Sequence, residues 1–355
     1  MNIKEDNWSS LLLDWFDAHG RDLPWRDESP RDPYKVWVSE IMLQQTKVET
    51  VRPYYDSWME RFPNIKSLAA ASQDDVLRQW QGLGYYSRAR NLHDAVQEVQ
   101  AKYGGRVPDT KKEVRALKGV GDYTAGAILS LAYGKKEAAV DGNVLRIFAR
   151  LYDIEENVLT TAVKKQVAAL VEEQMPEDRP GAFNEALMDL GATICIPKHP
   201  RCEDCPLGDI CLARAAGKEG DLPLRQVKKK APVEKITVVV PCHGTKWLVH
   251  RRPPKGLLAS MWEFPNAPGT GQDGIDAVRR MLAEKGLQVS VDDSPAGTLK
   301  SIFSHKVWQL TVYEGELTDG NIKEEENWQW IDRSDYDALP WAGPHGKITA
   351  IGISP

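Results

Sequence analysis

The sequence lacks any apolar run long enough to cross a membrane, and its amino terminus lacks the apolar core of a secretory signal. The longest candidate run, residues 236–240, has the length of a β-strand, whereas a membrane span needs about 18 apolar residues. Internal repeats and low-complexity tracts are also missing. We therefore expect a cytoplasmic protein without a membrane partner, and a monomer is the simplest expectation.

An excess of positive charge is missing as well. The net charge is −5, and division at residue 232 gives 33 Lys and Arg against 35 Asp and Glu before it, and 13 against 16 from there on. Any contact with a polyanion must therefore come from a few placed cations and backbone amides. With 42% hydrophobic and 27% charged residues over 355 positions, the chain is expected to fold, as about two domains.

The periodicity of apolar residues changes once along the chain. Up to about residue 215 they recur at spacings of three and four, as in residues 125–132, and strand-like alternation is nearly absent. β-rich runs follow at residues 235–241, 247–251, 307–313 and 328–331, with one helix at about 274–285. We predict a multidomain protein with an all-α domain (1–220), a charged linker (221–232) and an α+β domain (233–355).

Cysteines are few, and four of the five lie close together. Cys195, Cys202, Cys205 and Cys211 fall within 17 residues with the spacing C-x6-C-x2-C-x5-C. Disulfides are not expected without an export signal, so the cluster predicts a metal site. Four thiolates suit zinc or an iron–sulfur cluster. A zinc ribbon pairs two short C-x2-C knuckles, and because only one is present here, the spacing favours iron–sulfur.

Residues 117–127 (LKGVGDYTAGA) indicate two helices joined by a Gly-x-Gly turn. Gly119 and Gly121 would let backbone amides approach an anion closely, and the amino end of the second helix points to the same place. Such a turn binds a phosphate oxygen without net positive charge. By itself the motif is more often a plain helix connector.

Together, the cysteine spacing and the hairpin resemble the endonuclease III superfamily of DNA glycosylases. The resemblance implies a helix-hairpin-helix at residues 117–127 and a structural 4Fe–4S cluster on the four cysteines of residues 195–211. Other segments resemble one subfamily, the MutY adenine DNA glycosylases. These segments are residues 23–26, 36–46, 82–88 and 181–187.

Two carboxylates are candidates for glycosidic chemistry. Asp141 precedes a helical run, where it would be an N-cap, and a helix amino terminus favours the ionised form that stabilises an oxocarbenium-like sugar. Glu40 lies among apolar residues of a predicted helix, and such surroundings raise the pKa of a carboxyl group so that it can act as a general acid. The alternative for Glu40 is a solvent-facing helix residue. The resemblance implies both catalytic roles, with Tyr123 and Asn143 supporting the two carboxylates.

The resemblance also defines the expected substrate. It implies excision of adenine, flipped out of double-stranded DNA, where adenine is mispaired with 8-oxoguanine or guanine, in base excision repair; a bacterial source would place the protein at the nucleoid. Lyases of the superfamily carry a nucleophilic lysine where this hairpin has Tyr123. Since tyrosine cannot form a Schiff base, we predict a monofunctional glycosylase.

Several residues that would contact DNA also follow from the resemblance. Trp25, Arg26, Leu43 and Glu185 would line the base pocket. Gln45 and Tyr85 would lie near the opposite strand, with Tyr85 as a wedge; core packing is the alternative for Trp25 and Tyr85. The remaining predicted DNA contacts are Thr46, Leu83, Arg88, Gly119 and Gly121.

The second domain resembles the Nudix fold, beginning at residues 258–265. Nudix hydrolases bind magnesium through several glutamates of one helix, but the nearest stretch, residues 279–287, has Arg280 and Ala283 at two of those positions and keeps Glu284. Because a hard cation would lack oxygen ligands there, we predict no nucleotide hydrolysis.

The implied task of this domain is recognition of 8-oxoguanine through Phe303, Ser304 and His305. Ser304 would contact the modified edge and His305 would supply the distinguishing donor, although the tripeptide is also an ordinary hairpin sequence. Three rival functions remain. They are a related mismatch or oxidised-pyrimidine DNA glycosylase, a non-enzymatic lesion sensor and a nucleotide pyrophosphatase.

Overall fold

The structure is a computed structural model that describes residues 8–26, 30–224, 231–320 and 327–353. It divides into two compact units, one of residues 1–71 and 90–227 and one of residues 72–89 and 228–355. The helices that precede the sheet are α1 (Ser9–His19), α2 (Pro33–Leu43), α3 (Val48–Arg61), α4 (Ile65–Ala70), α5 (Gln73–Gln79), α6 (Ser87–Lys102), α7 (Lys111–Ala116), α8 (Asp122–Tyr133), α9 (Gly142–Leu151), α10 (Thr161–Gln174), α11 (Pro180–Thr193) and α12 (Leu212–Ala215).

The helical unit is organised around a buried core in which α1, α9, α10 and α11 meet. Trp8 packs on Phe148 and Phe183, with ring centroids 5.9 and 5.7 Å away. Polar caps fix the helix ends that carry the site: Asp32 accepts a hydrogen bond from the backbone N–H of Tyr34 at the start of α2. None of the described helices combines the length and apolar character that crossing a membrane requires.

The second unit contains one mixed sheet with a helix on it. Its elements are β1 (Val233–His243), β2 (Lys246–Arg251), β3 (Trp262–Glu263), β4 (Asn266–Pro268), α13 (Gly271–Glu284), β5 (Gln288–Val291), β6 (Gly297–Ile302), β7 (Val307–Asp319) and β8 (Trp328–Asp332). The strand order is β3-β2-β1-β7-β5; β4 pairs with β1, β6 with β7 and β8 with β2. β1 and β7 run parallel from Val233 opposite Val307. Helix α13 packs on this sheet through Ile275, Val278 and Leu282.

Residues 72–89, which contain α5 and the loop after it, belong to the same compact unit as the sheet. Asp74 forms an ion pair with Arg251, the last residue of β2. The Arg78 Nε–H donates to the backbone carbonyl of Ala338 at 2.9 Å. This helical segment is therefore joined by polar contacts to elements more than 170 residues away in sequence.

The predicted fold class is confirmed: helices precede an α+β unit, and all four predicted strands and the predicted helix of that unit are present. The prediction omitted β3, β4, β5 and β6. β3 and β4 have only two and three residues, and such short strands owe their conformation to their partners rather than to a local pattern. The domain boundaries stay a prediction, and residues 225–230 of the predicted linker lie outside the described residues.

Candidate active site

One open cleft in the helical unit brings together most of the residues that the sequence suggested. It lies between the end of α2, the start of α8, the start of α9 and one face of α11. Trp25 is 8% exposed and packs edge-on against Tyr55, so it is both a core residue and part of the cleft wall. The predicted residues that line the cleft are Trp25, Arg26, Glu40, Leu43, Gln45, Thr46, Gly119, Gly121, Tyr123, Asp141, Asn143 and Glu185.

Glu40 is the buried acid of this cleft. Its side chain sits on α2 and is 4% exposed, and the Tyr123 hydroxyl donates a 2.5 Å hydrogen bond to Oε2. Burial raises the pKa of Glu40 to about 7, although the Tyr123 hydrogen bond acts in the opposite direction. The burial that the sequence predicted is therefore present, and the carboxyl group is poised to hold a proton near neutral pH.

Asp141 is the N-cap of α9, as the sequence indicated. Its Oδ1 accepts the backbone N–H groups of Asn143 and Val144, both at 2.8 Å, and its Oδ2 accepts the side-chain amide of Asn143 at 3.0 Å. Burial nevertheless raises the pKa of Asp141 above its usual range, outweighing these hydrogen bonds. The helix terminus, which is visible in the sequence, favours ionisation of Asp141, whereas burial in the assembled cleft opposes it.

Asn143 is itself held by a cation that the sequence analysis did not identify. Arg146 is 3% exposed and donates from Nη2 to Asn143 Oδ1 (2.9 Å) and to the carbonyl of Gly191 (2.7 Å). Its Nε donates to the carbonyl of Cys195 at 2.7 Å. A Cβ at Gly191 would lie 2.5 Å from the Asn143 Cβ, so glycine is needed where α11 approaches this residue. The i, i+3 spacing of Asn143 and Arg146 was the available sequence signal.

A set of guanidinium groups surrounds Glu185 on α11. Arg26 donates from Nε to Glu185 Oε1 at 2.8 Å, while Arg31 donates to Oε1 and Oε2, both at 2.7 Å. Glu185 is 4% exposed. Glu40, Asp141 and Glu185 therefore occupy different environments in the cleft: Glu185 is ion-paired with two guanidinium groups, whereas Glu40 accepts a hydroxyl hydrogen bond.

The turn between α7 and α8 has the geometry expected of an anion-binding hairpin. Gly119 adopts φ +79°, and a Cβ there would lie 2.7 Å from the Asn91 side chain, so this position requires glycine. Gly121 is the N-cap residue of α8 and has no side chain to cap it. The N–H groups of the first turn of α8 are therefore available to an anionic group.

The four clustered cysteines line one small apolar cavity. All are free thiols, and Cys195, Cys205 and Cys211 pack against the helical core. Burial raises the pKa of Cys205 to about 12, so a bound cation would be needed to keep this thiolate. Among the described residues, no three His, Cys, Asp or Glu side chains form a site for a single metal ion. A 4Fe–4S cluster spreads its thiolates over four irons, and this donor set fits it.

Arg150 of α9 anchors the cysteine loop and was also missed from the sequence. It is 2% exposed, and its guanidinium donates to Cys195 Sγ at 3.3 Å and to the carbonyls of Leu222, Ile196 and Pro197. Hydrogen bonds to the cysteine sulfurs are one of the ways in which proteins tune a bound iron–sulfur cluster. Together, Arg146 and Arg150 tie one helix to the loop that carries the first cysteine.

The other predicted DNA contacts lie in the second unit. Tyr85 is 44% exposed and adopts φ +46°, a left-handed conformation that is strained for an aromatic residue. Leu83 is buried. Arg88 is 8% exposed, donates to the carbonyls of Leu83 and Gly84 and lies 5.5 Å from the Tyr85 ring centre. Arg88 thus stabilises the loop that presents Tyr85, a contact that the sequence did not indicate.

Residues 303–306 form the tip of the β6–β7 hairpin. The Phe303 backbone N–H donates to the carbonyl of Lys306 at 2.8 Å, and the Phe303 ring packs edge-on against Trp308. Ser304 and His305 are both exposed, and the Ser304 hydroxyl lies 3.4 Å from His305 Nδ1. Phe303 therefore anchors the tip, while the two polar side chains project from it.

Comparison with known proteins identifies relatives along most of the chain. Residues 38–175 match the HhH-GPD superfamily of base excision DNA repair proteins, and residues 236–350 match the NUDIX domain. The human adenine DNA glycosylase is 38% identical over 360 positions, which cover 85% of this chain and 65% of the human protein. The adenine DNA glycosylase of Buchnera aphidicola subsp. Acyrthosiphon pisum is 38% identical over 259 positions, 73% of each chain.

A solved structure supports the fold of the helical part. A thermostable thymine-DNA glycosylase superposes with a TM-score of 0.54 and 31% identity, covering 59% of this chain and 95% of that one. The chain spans between 59% and 65% of the length of its mammalian and plant relatives, so those proteins contain segments without a counterpart here.

Proposed function

The chain belongs to the adenine DNA glycosylase family, and on that basis we propose that it releases adenine from double-stranded DNA in which adenine is mispaired with 8-oxoguanine or guanine. The observation that carries this proposal is the pairing of Glu40 and Asp141 in one cleft with different surroundings. Glu40 has a pKa of about 7 and accepts the Tyr123 hydroxyl, whereas Asp141 is held by backbone and amide N–H groups. These different surroundings suit Glu40 to act as the acid and Asp141 to act as the anion.

The reaction follows from these two environments. Glu40 gives its proton to a ring nitrogen of the flipped adenine, so the base leaves as a neutral molecule when the bond from its N9 to the sugar breaks. Asp141, as the carboxylate, stabilises the positive charge that develops on the sugar. The oxygen of a water molecule then bonds to the sugar carbon, and the proton that the water loses passes to the carboxylate that Glu40 has become. An abasic site and free adenine remain, and Glu40 is again protonated. Tyr123 and Asn143 hold the two carboxyl groups in place.

We infer that the base pocket is formed by Trp25, Arg26, Leu43 and Glu185. Extrusion of a base costs a few kcal/mol and costs least at a mismatch, so the pocket acts on pairs that are already weakened. Since Tyr123 stands where a lyase would need an amine nucleophile, the proposed enzyme leaves the DNA backbone intact.

Recognition of the opposite strand is assigned to Gln45 and Thr46 of the cleft, to Tyr85 and to the tip formed by Phe303, Ser304 and His305. Gly119 and Gly121 would offer backbone N–H groups to a phosphate. Exposed, strained Tyr85 is suited to enter the base stack. Ser304 and His305 are exposed hydrogen-bonding groups on a turn anchored by Phe303, as direct recognition of a base edge requires.

We propose that Cys195, Cys202, Cys205 and Cys211 hold a 4Fe–4S cluster. When bound, the cluster supplies four iron–thiolate bonds that fix the loop; Arg146 and Arg150 position this loop against α9. Iron analysis of the purified protein is expected to give about four iron atoms per chain, with absorbance typical of iron–sulfur proteins. A single zinc ion per chain would contradict the assignment.

The function is tested by single-turnover release of adenine from a duplex that carries adenine opposite 8-oxoguanine, with samples analysed before and after alkali. Strand breaks that appear only after alkali would support a monofunctional glycosylase. Breaks without alkali would mean that a lyase nucleophile is present. A duplex with thymine opposite guanine and one with an oxidised pyrimidine serve as parallel substrates, because one of the similar solved structures is a thymine-DNA glycosylase. Release from those alone would favour the related mismatch or pyrimidine enzyme, and binding without any release would favour a lesion sensor.

A further inference from the structure

Asp189 of α11 is a buried carboxylate beside the proposed base pocket, and the reaction described above gives it no role. It is 0% exposed. Its Oδ1 accepts from Arg21 Nε (3.0 Å), Arg21 Nη2 (2.6 Å) and Arg26 Nη2 (2.9 Å). Its Oδ2 accepts from the Arg21 backbone N–H and from Arg26 Nη1, both at 2.9 Å. One carboxylate thus engages two guanidinium groups. Arg26 makes two parallel hydrogen bonds, one to each oxygen, whereas both guanidinium bonds of Arg21 go to Oδ1.

Burial alone would raise the pKa of Asp189, but the hydrogen bonds from Arg26 and Arg21 outweigh burial and hold its pKa below the usual range. Asp189 is therefore an anion in the folded protein at neutral pH. Breaking the ion pairs of a buried anion with two cationic partners lowers the stability of the protein, because removal of one charge leaves the others buried and only partly paired. The two arginine partners therefore fix the orientation of the Asp189 carboxylate.

The fixed carboxylate determines how Arg26 is turned. Asp189 occupies the edge of the guanidinium formed by Nη1 and Nη2, and Arg26 Nη1 also donates to the carbonyl of Arg21 at 2.9 Å. The carbon of the guanidinium lies 5.4 Å from the centre of the Phe16 ring. Only Nε is directed to Glu185, at 2.8 Å. Arg26 therefore makes a single hydrogen bond to Glu185 rather than a bidentate pair.

The single bond leaves Glu185 with unused acceptor capacity. Its Oε1 accepts from Arg26 and Arg31, whereas Oε2 accepts from Arg31 at 2.7 Å. A carboxylate oxygen has about two acceptor positions, so Oε2 retains one for a donor in the cleft. If Arg26 turned its Nη1–Nη2 edge to Glu185, it would compete for that position.

We propose that Asp189 is a positioning residue that holds Arg26 by one edge and thereby keeps an acceptor position of Glu185 open for the 6-amino group of the flipped adenine. The inference rests on the proposed function and deepens it. It identifies the exocyclic amine as the feature that this part of the cleft recognises, and it makes the selection of adenine depend on a residue that never touches the base. A site built around a substrate N–H discriminates strongly against an analogue that lacks it.

The test compares two leaving groups, adenine and unsubstituted purine, each placed opposite 8-oxoguanine, in single-turnover release by the full chain. Asp189→Asn keeps the shape of the side chain and removes its charge. It is expected to slow adenine release about tenfold or more, and purine release less than about threefold, so the adenine-to-purine rate ratio falls. Equal slowing of both bases would overturn the proposal in favour of a purely structural role. If the wild-type protein releases neither base, the proposed function itself fails, and this result is separate from the behaviour of the variant.

Two further variants make the comparison specific. Asp17→Asn is the matched control, because Asp17 of α1 is an exposed residue that forms another bidentate pair, with Arg179. This variant is expected to leave the adenine-to-purine rate ratio unchanged. A lower ratio would contradict the proposal. If Asp189→Asn does not fold, Arg21→Gln replaces it, since the Arg21 side chain is 27% exposed. Arg21→Gln removes two of the hydrogen bonds that orient Asp189, and the ratio is expected to fall about threefold. An unchanged ratio would refute the proposal.

Discussion

Glu40→Gln is expected to abolish adenine release and, at alkaline pH, to stabilise the protein. Burial raises the pKa of Glu40 from 4.5 to about 7. Between these values the folded chain holds a proton that the unfolded chain has lost, so the free energy of unfolding of the wild-type protein falls as pH rises through this window. A glutamine does not titrate, and its side-chain oxygen still accepts the Tyr123 hydroxyl. The free energy of unfolding of the variant therefore does not fall through titration at this position.

The size of the effect follows from the two pKa values. One pKa unit corresponds to about 1.36 kcal/mol, so the full window represents about 3 kcal/mol, of which about 2.5 kcal/mol falls between pH 5 and pH 8.5. Between pH 5 and pH 8.5, the free energy of unfolding of Glu40→Gln should therefore rise relative to that of the wild type by about 2.5 kcal/mol. Loss of the acid should slow adenine release by about 100-fold or more.

Urea unfolding at pH 5 and pH 8.5 measures the stability difference, and single-turnover release measures the activity. The control is Glu60→Gln, which changes the same chemical group at an exposed position on α3 and should show no such change in relative stability. If the Glu40→Gln difference is the same at both pH values, burial does not raise the pKa of Glu40 and the assignment of the acid is wrong. Substantial adenine release by the variant would contradict the mechanism independently.

Three other substitutions test the remaining parts of the site. Asp141→Asn should bind the duplex with adenine opposite 8-oxoguanine and release almost no adenine, whereas substantial single-turnover release would refute the role of the anion. Tyr123→Phe removes a hydrogen bond that lowers the pKa of Glu40, so the fall in rate at alkaline pH should shift upward by about one pH unit. The control is Tyr133→Phe, which removes a hydroxyl from the same helix. An identical shift in both variants would refute the role of the Tyr123 hydrogen bond in lowering the pKa of Glu40. His305→Ala should reduce the preference for 8-oxoguanine over guanine more than it slows release from either pair, and equal losses would exclude that role.

The sequence predicted those parts of the site that depend on neighbouring residues. Asp141 caps α9 because the residues after it form a helix, and Glu40 is buried because apolar residues precede and follow it on one turn. Gly119 and Gly121 likewise form a local turn. Such features are set within about a dozen residues, and a pattern can report them.

The features that the sequence did not predict depend on distant partners. Arg150 and Asp189 are buried charged residues whose side-chain partners lie 45 or more residues away in sequence, and nothing in their immediate surroundings distinguishes them from surface charges. Arg146 has a near partner in Asn143, but its hydrogen bond to the carbonyl of Gly191 spans 45 residues. Burial of Asp141 is similarly a property of the assembled cleft. The association of residues 72–89 with the sheet also had no signal, because helical periodicity shows which face is buried but not what covers it.

The membership of residues 72–89 in the second unit affects how the role of that unit can be studied. A shortened chain that ends near residue 220 would lose the hairpin tip and would also leave Asp74 without Arg251 and Arg78 without the carbonyl of Ala338. The segment that carries Tyr85 would then have lost its partners. A defect of such a fragment would therefore combine two changes, the loss of the hairpin tip and the loss of support for residues 72–89. Point substitutions at Ser304 or His305 change the tip alone and leave α5 supported. For this chain, removal of a contiguous stretch of sequence is not the removal of a structural unit.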